Sequence, residues 1–347
     1  MRICRSWCCV LLLAVLVGGA RAATLYTVSN IGPASEVAQV NDRGEIIGRV
    51  GDSSFLYDGV QHIIPNPPGA TFSAGAINNA GQVVGTVIVA STFSYSTGLF
   101  SNGTLQVIPG SQGTAGTRIN DAGQIAGDLP GQYRGFFYSG GSFTTIGELP
   151  GDFESTPRSI NAAGDVLLYS AGKTGHAAIY SHGVLTAVPG SASYDLQPES
   201  LNNPGQVVGW VTTGNSSLPA EAALISNGQV TLLGALPGSG ARESFANAIN
   251  DAGVIVGGTL NGPSLRATAY YDGLGLIDLN SVVTGGSGWT LQIANSINSS
   301  GQIAGLGVSN GVQSGFLLTP VPEPFSAGAT GLGMLLVSAT IFFLRRA

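Results

Sequence analysis

The chain has 347 residues, 53 of them glycine and only 9% charged, with a formal net charge of −6. Thirteen basic residues against 19 acids, with Lys173 as the one lysine of the body, leave no basic stripe for a phosphate backbone, which excludes DNA and RNA as partners. All three cysteines (Cys4, Cys8 and Cys9) precede residue 10, which excludes a disulfide framework or a thiolate-held metal in the body.

In chain order, Arg2 and Arg5 precede the apolar run Cys8 to Val17, and Ala20 and Ala22 place small residues at the two positions a signal peptidase reads. Residues 1–22 therefore read as a signal peptide for the Sec export machinery, cut after Ala22. About ten apolar residues fall short of the ~20 that span a bilayer.

The body, residues 23–320, repeats one unit. An apolar residue, Asn, two small or polar residues and Gly recur at Asn41/Gly44, Asn78/Gly81, Asn120/Gly123, Asn161/Gly164, Asn202/Gly205, Asn250/Gly253 and Asn298/Gly301. An Asn that bonds its own backbone two residues on, followed by a Gly with positive φ, makes a type I hairpin turn with a bulge. On this reading Gly123→Val weakens its repeat by about 1–2 kcal/mol, and Asn120→Ala by less.

A second glycine follows four residues after the first (Gly48, Gly85, Gly127, Gly209, Gly257 and Gly305), with Leu168 in the fourth copy. Two more strand signals lie between successive turns, giving four strands per unit, the size of a β-propeller blade. The expected fold is all-β: a seven-bladed propeller of four-stranded blades. In it Gly315 to Thr319 and Leu25 to Val28 complete one blade together and remove a free edge. A capped solenoid is the alternative.

Alternate connections of such blades share a face, so the longer loops form the expected binding face, carrying Asp152, Glu154, Arg158, Tyr194, Asp195, Glu199, Trp210, Arg242, Glu243 and Trp289. Acids with aromatics suit a sugar; a solvated loop surface of the same composition is the alternative. No two of His62, His176 and His182 stand at ligand spacing, and Asp42, Asp121 and Asp251 offer one carboxylate per turn, too few oxygens for calcium. No metal, cofactor or catalytic nucleophile is expected.

The tail, residues 321–347, runs Val321-Pro322-Glu323-Pro324, an apolar stretch from Phe325 to Leu344, then Arg345 and Arg346. Twenty apolar residues suffice for a transmembrane helix, and two arginines after it favour a cytoplasmic C-terminus with the body outside. With the two ends removed, eight basic residues face 18 acids, a charge of about −10.

The tail resembles the PEP-CTERM sorting signal, matched at Pro322, Glu323 and Pro324. That resemblance implies an exosortase as partner and delivery to the cell surface or extracellular matrix. The repeats resemble the HAF repeat through Gly175-His176-Ala177-Ala178-Ile179-Tyr180, the Ile-Asn-x-x-Gly turns and the Leu-Pro-Gly segments at Leu149 and Leu236. This second resemblance implies an extracellular repeat architecture rather than an activity. The expected function is a non-catalytic surface or matrix protein with an exopolysaccharide as partner; a secreted propeller enzyme acting on glycans is the alternative.

Overall fold

The computed structural model describes residues 24–191, 194–212, 219–237, 243–262 and 264–322. The expected signal peptide, with Ala20 and Ala22, lies outside the described residues, as does the tail from Glu323 onward, with Pro324, Arg345 and Arg346. No helix among the described residues is long and apolar enough to cross a membrane.

Each repeat folds as an antiparallel meander. In the second, Thr71–Ile77, Val83–Val89, Ser94–Ser101 and Thr104–Gln112 pair in sequence order. The Asn-x-x-Gly motif closes the first hairpin, where Gly81 N–H donates to Asn78 O at 3.0 Å. The same bond, at 3.0 or 3.1 Å, runs from Gly44 to Asn41, Gly123 to Asn120, Gly164 to Asn161, Gly205 to Asn202, Gly253 to Asn250 and Gly301 to Asn298. These seven glycines hold φ between +74° and +86°, the left-handed region that a Cβ disfavours.

Their surroundings differ more than their backbones do. A Cβ on Gly205 would meet nothing within 4 Å, and on Gly253 only Gln206 Oε1 at 3.9 Å. On Gly44 or Gly301 it would stand 3.3 Å from Gln302 Oε1 or 3.4 Å from Pro320 Cγ, and on Gly164 only 2.5 Å from Gln124 Oε1 of the preceding repeat. Gln124 is a flexible side chain that can swing aside, as is Arg43, whose Nη2 would stand 2.2 Å from a Cβ on Gly81, so positive φ is the constraint these turns share.

Strand pairing produces an all-β propeller. Five sheets each form a blade of their own, four of them four-stranded and one five-stranded, while the chain from Ala115 to Ala187 forms a single eight-stranded sheet. This corrects the expectation of seven separate four-stranded blades. The third and fourth repeats are each a four-stranded meander, but a parallel bridge between Arg134 and Ser155 joins them.

The two ends of the body share one blade. Tyr26–Pro33 lies antiparallel to Val312–Pro320, with Val28 opposite Leu318 and Ser29 opposite Leu317, and Val283–Thr284 adds a short parallel strand outside it. The edge that a solenoid would have to cap is therefore paired.

The core is divided among the contacts between neighbouring repeats. Ile47 and Ile64 of the first repeat pack with Phe72, Ile77, Val83, Val87 and Phe100 of the second. An equivalent cluster joins every successive pair, and Val37, Val40, Ile46 and Phe55 meet Ala304 and Leu317 to join the first repeat to the last. Because every repeat buries apolar surface on both sides, none has a finished core alone.

Candidate functional site in the axial cavity

The innermost strands are Glu36–Val40, Thr71–Ile77, Ala115–Ile119, Glu154–Ile160, Asp195–Leu201, Ser244–Ile249 and Trp289–Ile297. Each pairs with its neighbour through a β-bulge, and the unpaired residue always stands three before the turn asparagine: Ala38, Gly75, Thr117, Arg158, Glu199, Asn247 or Asn295. A bulge re-aims the extra residue. All seven line a single cavity of about 550 Å³ on the propeller axis, within the ~300–1,000 Å³ range of small-molecule sites.

The bulge also explains the second glycine of the repeat. A Cβ on Gly48, Gly85, Gly127, Gly209, Gly257 or Gly305 would stand 1.8 to 2.3 Å from the carbonyl oxygen that the bulge pushes toward it. These glycines recur across the repeats for close approach, since their φ is not positive.

The cavity is lined by four charged residues, the exposed Glu36 of the first repeat and Arg118, Arg158 and Glu199 on three adjacent repeats. Arg118 is half-buried, its Nε donates to Arg158 O, and its Nη1 donates to Thr117 O at 2.9 Å. The Arg158 guanidinium stacks over the Tyr169 ring, 5.6 Å from its centroid. Burial pushes the Glu199 and Asp128 carboxyls up, with Arg118 and Arg158 pulling the other way. Yet no ion pair among the described residues joins either arginine to either acid. Arg158 Nε, Thr117 Oγ1 and Asp128 Oδ1 are buried without a hydrogen-bond partner, each at a cost of about 1–3 kcal/mol.

A carboxyl raised above its unfolded value contributes stability that is present below the unfolded pKa and is lost as pH rises through the folded one. Asp128→Asn should therefore gain stability over the parent chain at pH 8 and much less at pH 4. Urea denaturation at the two values checks this; an equal effect at both would show that ionisation of Asp128 carries no cost.

At the face bearing the Asn-x-x-Gly turns, a smaller opening of about 230 Å³ is ringed by all seven turn asparagines, and all seven are buried. Their side chains do more than close their own turns. Asn41 Nδ2 donates to Asn78 O at 3.0 Å, Asn78 to Asn120 O at 3.2 Å, Asn120 to Asn161 O at 3.0 Å, Asn202 to Asn250 O at 3.1 Å, Asn250 to Asn298 O at 3.2 Å, and Asn298 to Asn41 O at 2.9 Å. Asn161 departs: its Nδ2 donates to Asp165 four residues on, as most of the others do to their own fourth residue, but reaches no carbonyl of the next repeat. The turn glycines take no part in either opening: Gly44, Gly81, Gly123, Gly164, Gly205, Gly253 and Gly301 line neither of them. Motif asparagine and motif glycine therefore separate in role, the first facing the axis and the second shaping the backbone behind it.

The residues after the asparagines form a second ring. Asn79 Nδ2 bridges Asp42 and Asp121, Asn203 Nδ2 reaches Asp251, and Asp42 accepts from Ser299 N–H. Burial opposes the ionisation of Asp42, but the bonds from Ser299 and Asn79 outweigh it and hold its carboxyl below the ordinary range. These aspartates are thus ring ties.

The ten residues expected on the long-loop binding face are distributed over several places in the structure. Of these, Arg158 and Glu199 lie in the axial cavity, aimed there by the bulges. Most of the others have structural partners. Asp152 accepts from Ser170 Oγ at 2.6 Å and meets His176 Nε2 at 3.0 Å. Asp195 accepts from Gly175 N–H and Thr212 Oγ1. Trp210 meets Phe245 edge-on at 5.9 Å, Trp289 meets Phe316 at 6.3 Å, and Tyr194 packs on the cluster around Leu196. Glu154 is half-buried at the start of its inner strand, Glu243 lends its carbonyl to Leu260 N–H, and Arg242 lies outside the described residues.

His62 meets Asp58 at 3.1 Å on the surface, and His182 occupies a positive-φ turn position. Among the described residues no three His, Cys, Asp or Glu side chains gather as a metal site. Sequence reasoning missed Thr117, Arg118, Asn247 and Asn295, although the constant offset of the bulge residues from the turn asparagine was available as a signal.

Sheets arranged around an axial cavity and closed by a strand from each end of the body define a β-propeller. Solved structures agree on the fold. The virginiamycin B lyase of Staphylococcus aureus matches at a TM-score of 0.53 and 14% identity over 85% of this chain and 100% of its own. The β-propeller domain of the Trilobed protease of Pyrococcus furiosus matches at 0.53 and 8% over 88% and 99%. The acylaminoacyl peptidase of Pyrococcus horikoshii matches at 0.52 and 7% over 85% of this chain and 53% of its own. No family model and no curated protein matches the sequence.

Proposed function

We propose that the chain is an exported cell-surface or matrix protein whose propeller, a seven-fold ring in which the eight-stranded sheet serves as two blades, binds a glycan at its axis without transforming it. The observation that carries the binding role is the convergence of seven bulge residues, one per repeat, on one polar cavity. Glycan-array binding by the exported full-length chain in detergent is the test: binding to an exopolysaccharide fragment is expected, and a blank array removes the reading.

Export rests on the sequence at the two ends. Ala20 and Ala22 supply the cleavage site, Pro322, Glu323 and Pro324 the exosortase motif, and Phe325 to Leu344 the membrane tether, followed by Arg345 and Arg346. Two prolines hold the motif extended for a membrane-bound protease, while an anchor draws its free energy from the apolar helix alone. Glu323→Ala should accordingly leave insertion intact and accumulate a full-length membrane form in an exosortase-bearing host. Mass spectrometry of the mature C-terminus decides, and a parent chain ending at Ala347 in that host would reduce the tail to an anchor.

A second reading, glycan hydrolysis, has one observation in its favour: Glu199, which lines the cavity, is a carboxyl raised by burial, as an acid catalyst requires. Turnover of a bound glycan that Glu199→Gln abolishes would establish it.

A further inference from the structure

The cavity is lopsided. The bulge residues of the first two repeats are Ala38 and Gly75, which leave room, whereas those of the third to the seventh are Thr117, Arg158, Glu199, Asn247 and Asn295. Asn247 and Asn295 spend their amide nitrogens on the carbonyls of Ala294 and Val37 in the next repeat, at 2.9 and 2.7 Å. Arg118 likewise spends donors on Arg158 O and Thr117 O. Arg158 differs: its guanidinium is backed by Tyr169, no carboxylate among the described residues is within ion-pair range, and its buried Nε donates to nothing. Beside it stand Thr117 Oγ1, also unpaired, and the half-buried Glu199.

A guanidinium set over an aromatic ring, its N–H groups without an acceptor among the described residues, matches a carboxylate better than a neutral hydroxyl, because both groups are planar and the bond is charge-assisted. Thr117 and Glu199 add the hydroxyl-binding groups that a simple inorganic anion would leave unused. We propose, resting on the glycan-binding reading above, that the axial cavity takes a sugar acid, a hexuronate or the uronate end of an acidic glycan, with its carboxylate on Arg158 and its hydroxyls toward Thr117 and Glu199.

The experiment is calorimetric titration of the exported full-length chain in detergent with D-glucuronate, D-glucose and inorganic phosphate. Glucuronate should bind at least tenfold more tightly than glucose, and Arg158→Gln should erase that preference. If this variant does not fold, Arg158→Lys carries the test, since it keeps the charge and loses the planar fork, and should weaken glucuronate at least threefold. Equal binding of glucuronate and glucose, preference for phosphate alone, or an undiminished preference in the Arg158 variants each overturns the proposal. Binding of neutral array glycans without glucuronate overturns it while sparing the glycan reading; an array and a titration that are both blank remove the two together.

Discussion

Gly257→Val is expected to destabilise the chain by about 3–4 kcal/mol, beyond the common range for an overpacked site. The first atom of the new side chain would fall 1.8 Å from Phe245 O and 2.8 Å from Phe245 C. Both are backbone atoms fixed by the bulge opposite, so neither can swing aside as a flexible side chain would. Gly123→Val is the control. Its Cβ meets nothing within 4 Å, and only the positive φ of 74° resists it, which costs about 1–2 kcal/mol. Chemical denaturation should rank Gly257→Val well below Gly123→Val; the reverse order would mean that the bulge on the inner strand of the sixth repeat is not formed.

Asn120→Ala should cost about 2–4 kcal/mol, from three lost hydrogen bonds at roughly 1 kcal/mol each and the desolvation of a partner left behind. The bonds are those from Nδ2 to Gln124 Oε1 at 2.7 Å and to Asn161 O at 3.0 Å, and from Gln124 N–H to Oδ1 at 3.0 Å. This reverses the ranking expected from the turn alone, in which the asparagine mattered less than Gly123. Asn161→Ala provides an internal comparison, because Asn161 closes the same turn without reaching the next repeat. It should destabilise less than Asn120→Ala, and equal losses would show that the tie between repeats carries no weight.

The difference between those two asparagines also marks how far the chain could be read unaided. Asn120 and Asn161 sit in the same local pattern, and the hairpin turn follows from that pattern in both. Which of them reaches across to its neighbour depends on how two repeats, some 41 residues apart, are placed against each other. Glu199 makes the same point for the site. Assigning it to a long connection placed it on the loop face, but it lies in an inner strand, where the one unpaired residue turns its side chain to the axis.

The sequence by itself determined the all-β class, the positions of the seven turns and the shared blade at the two ends of the body, because turn chemistry and strand period are properties of a few adjacent residues. Tertiary structure alone decided that the third and fourth repeats fuse into one sheet, that the turn asparagines tie neighbouring repeats, and that Thr117, Arg158, Glu199, Asn247 and Asn295 share a cavity. Those facts arise where separate strands converge on an axis, and no stretch of contiguous residues contains the distances involved.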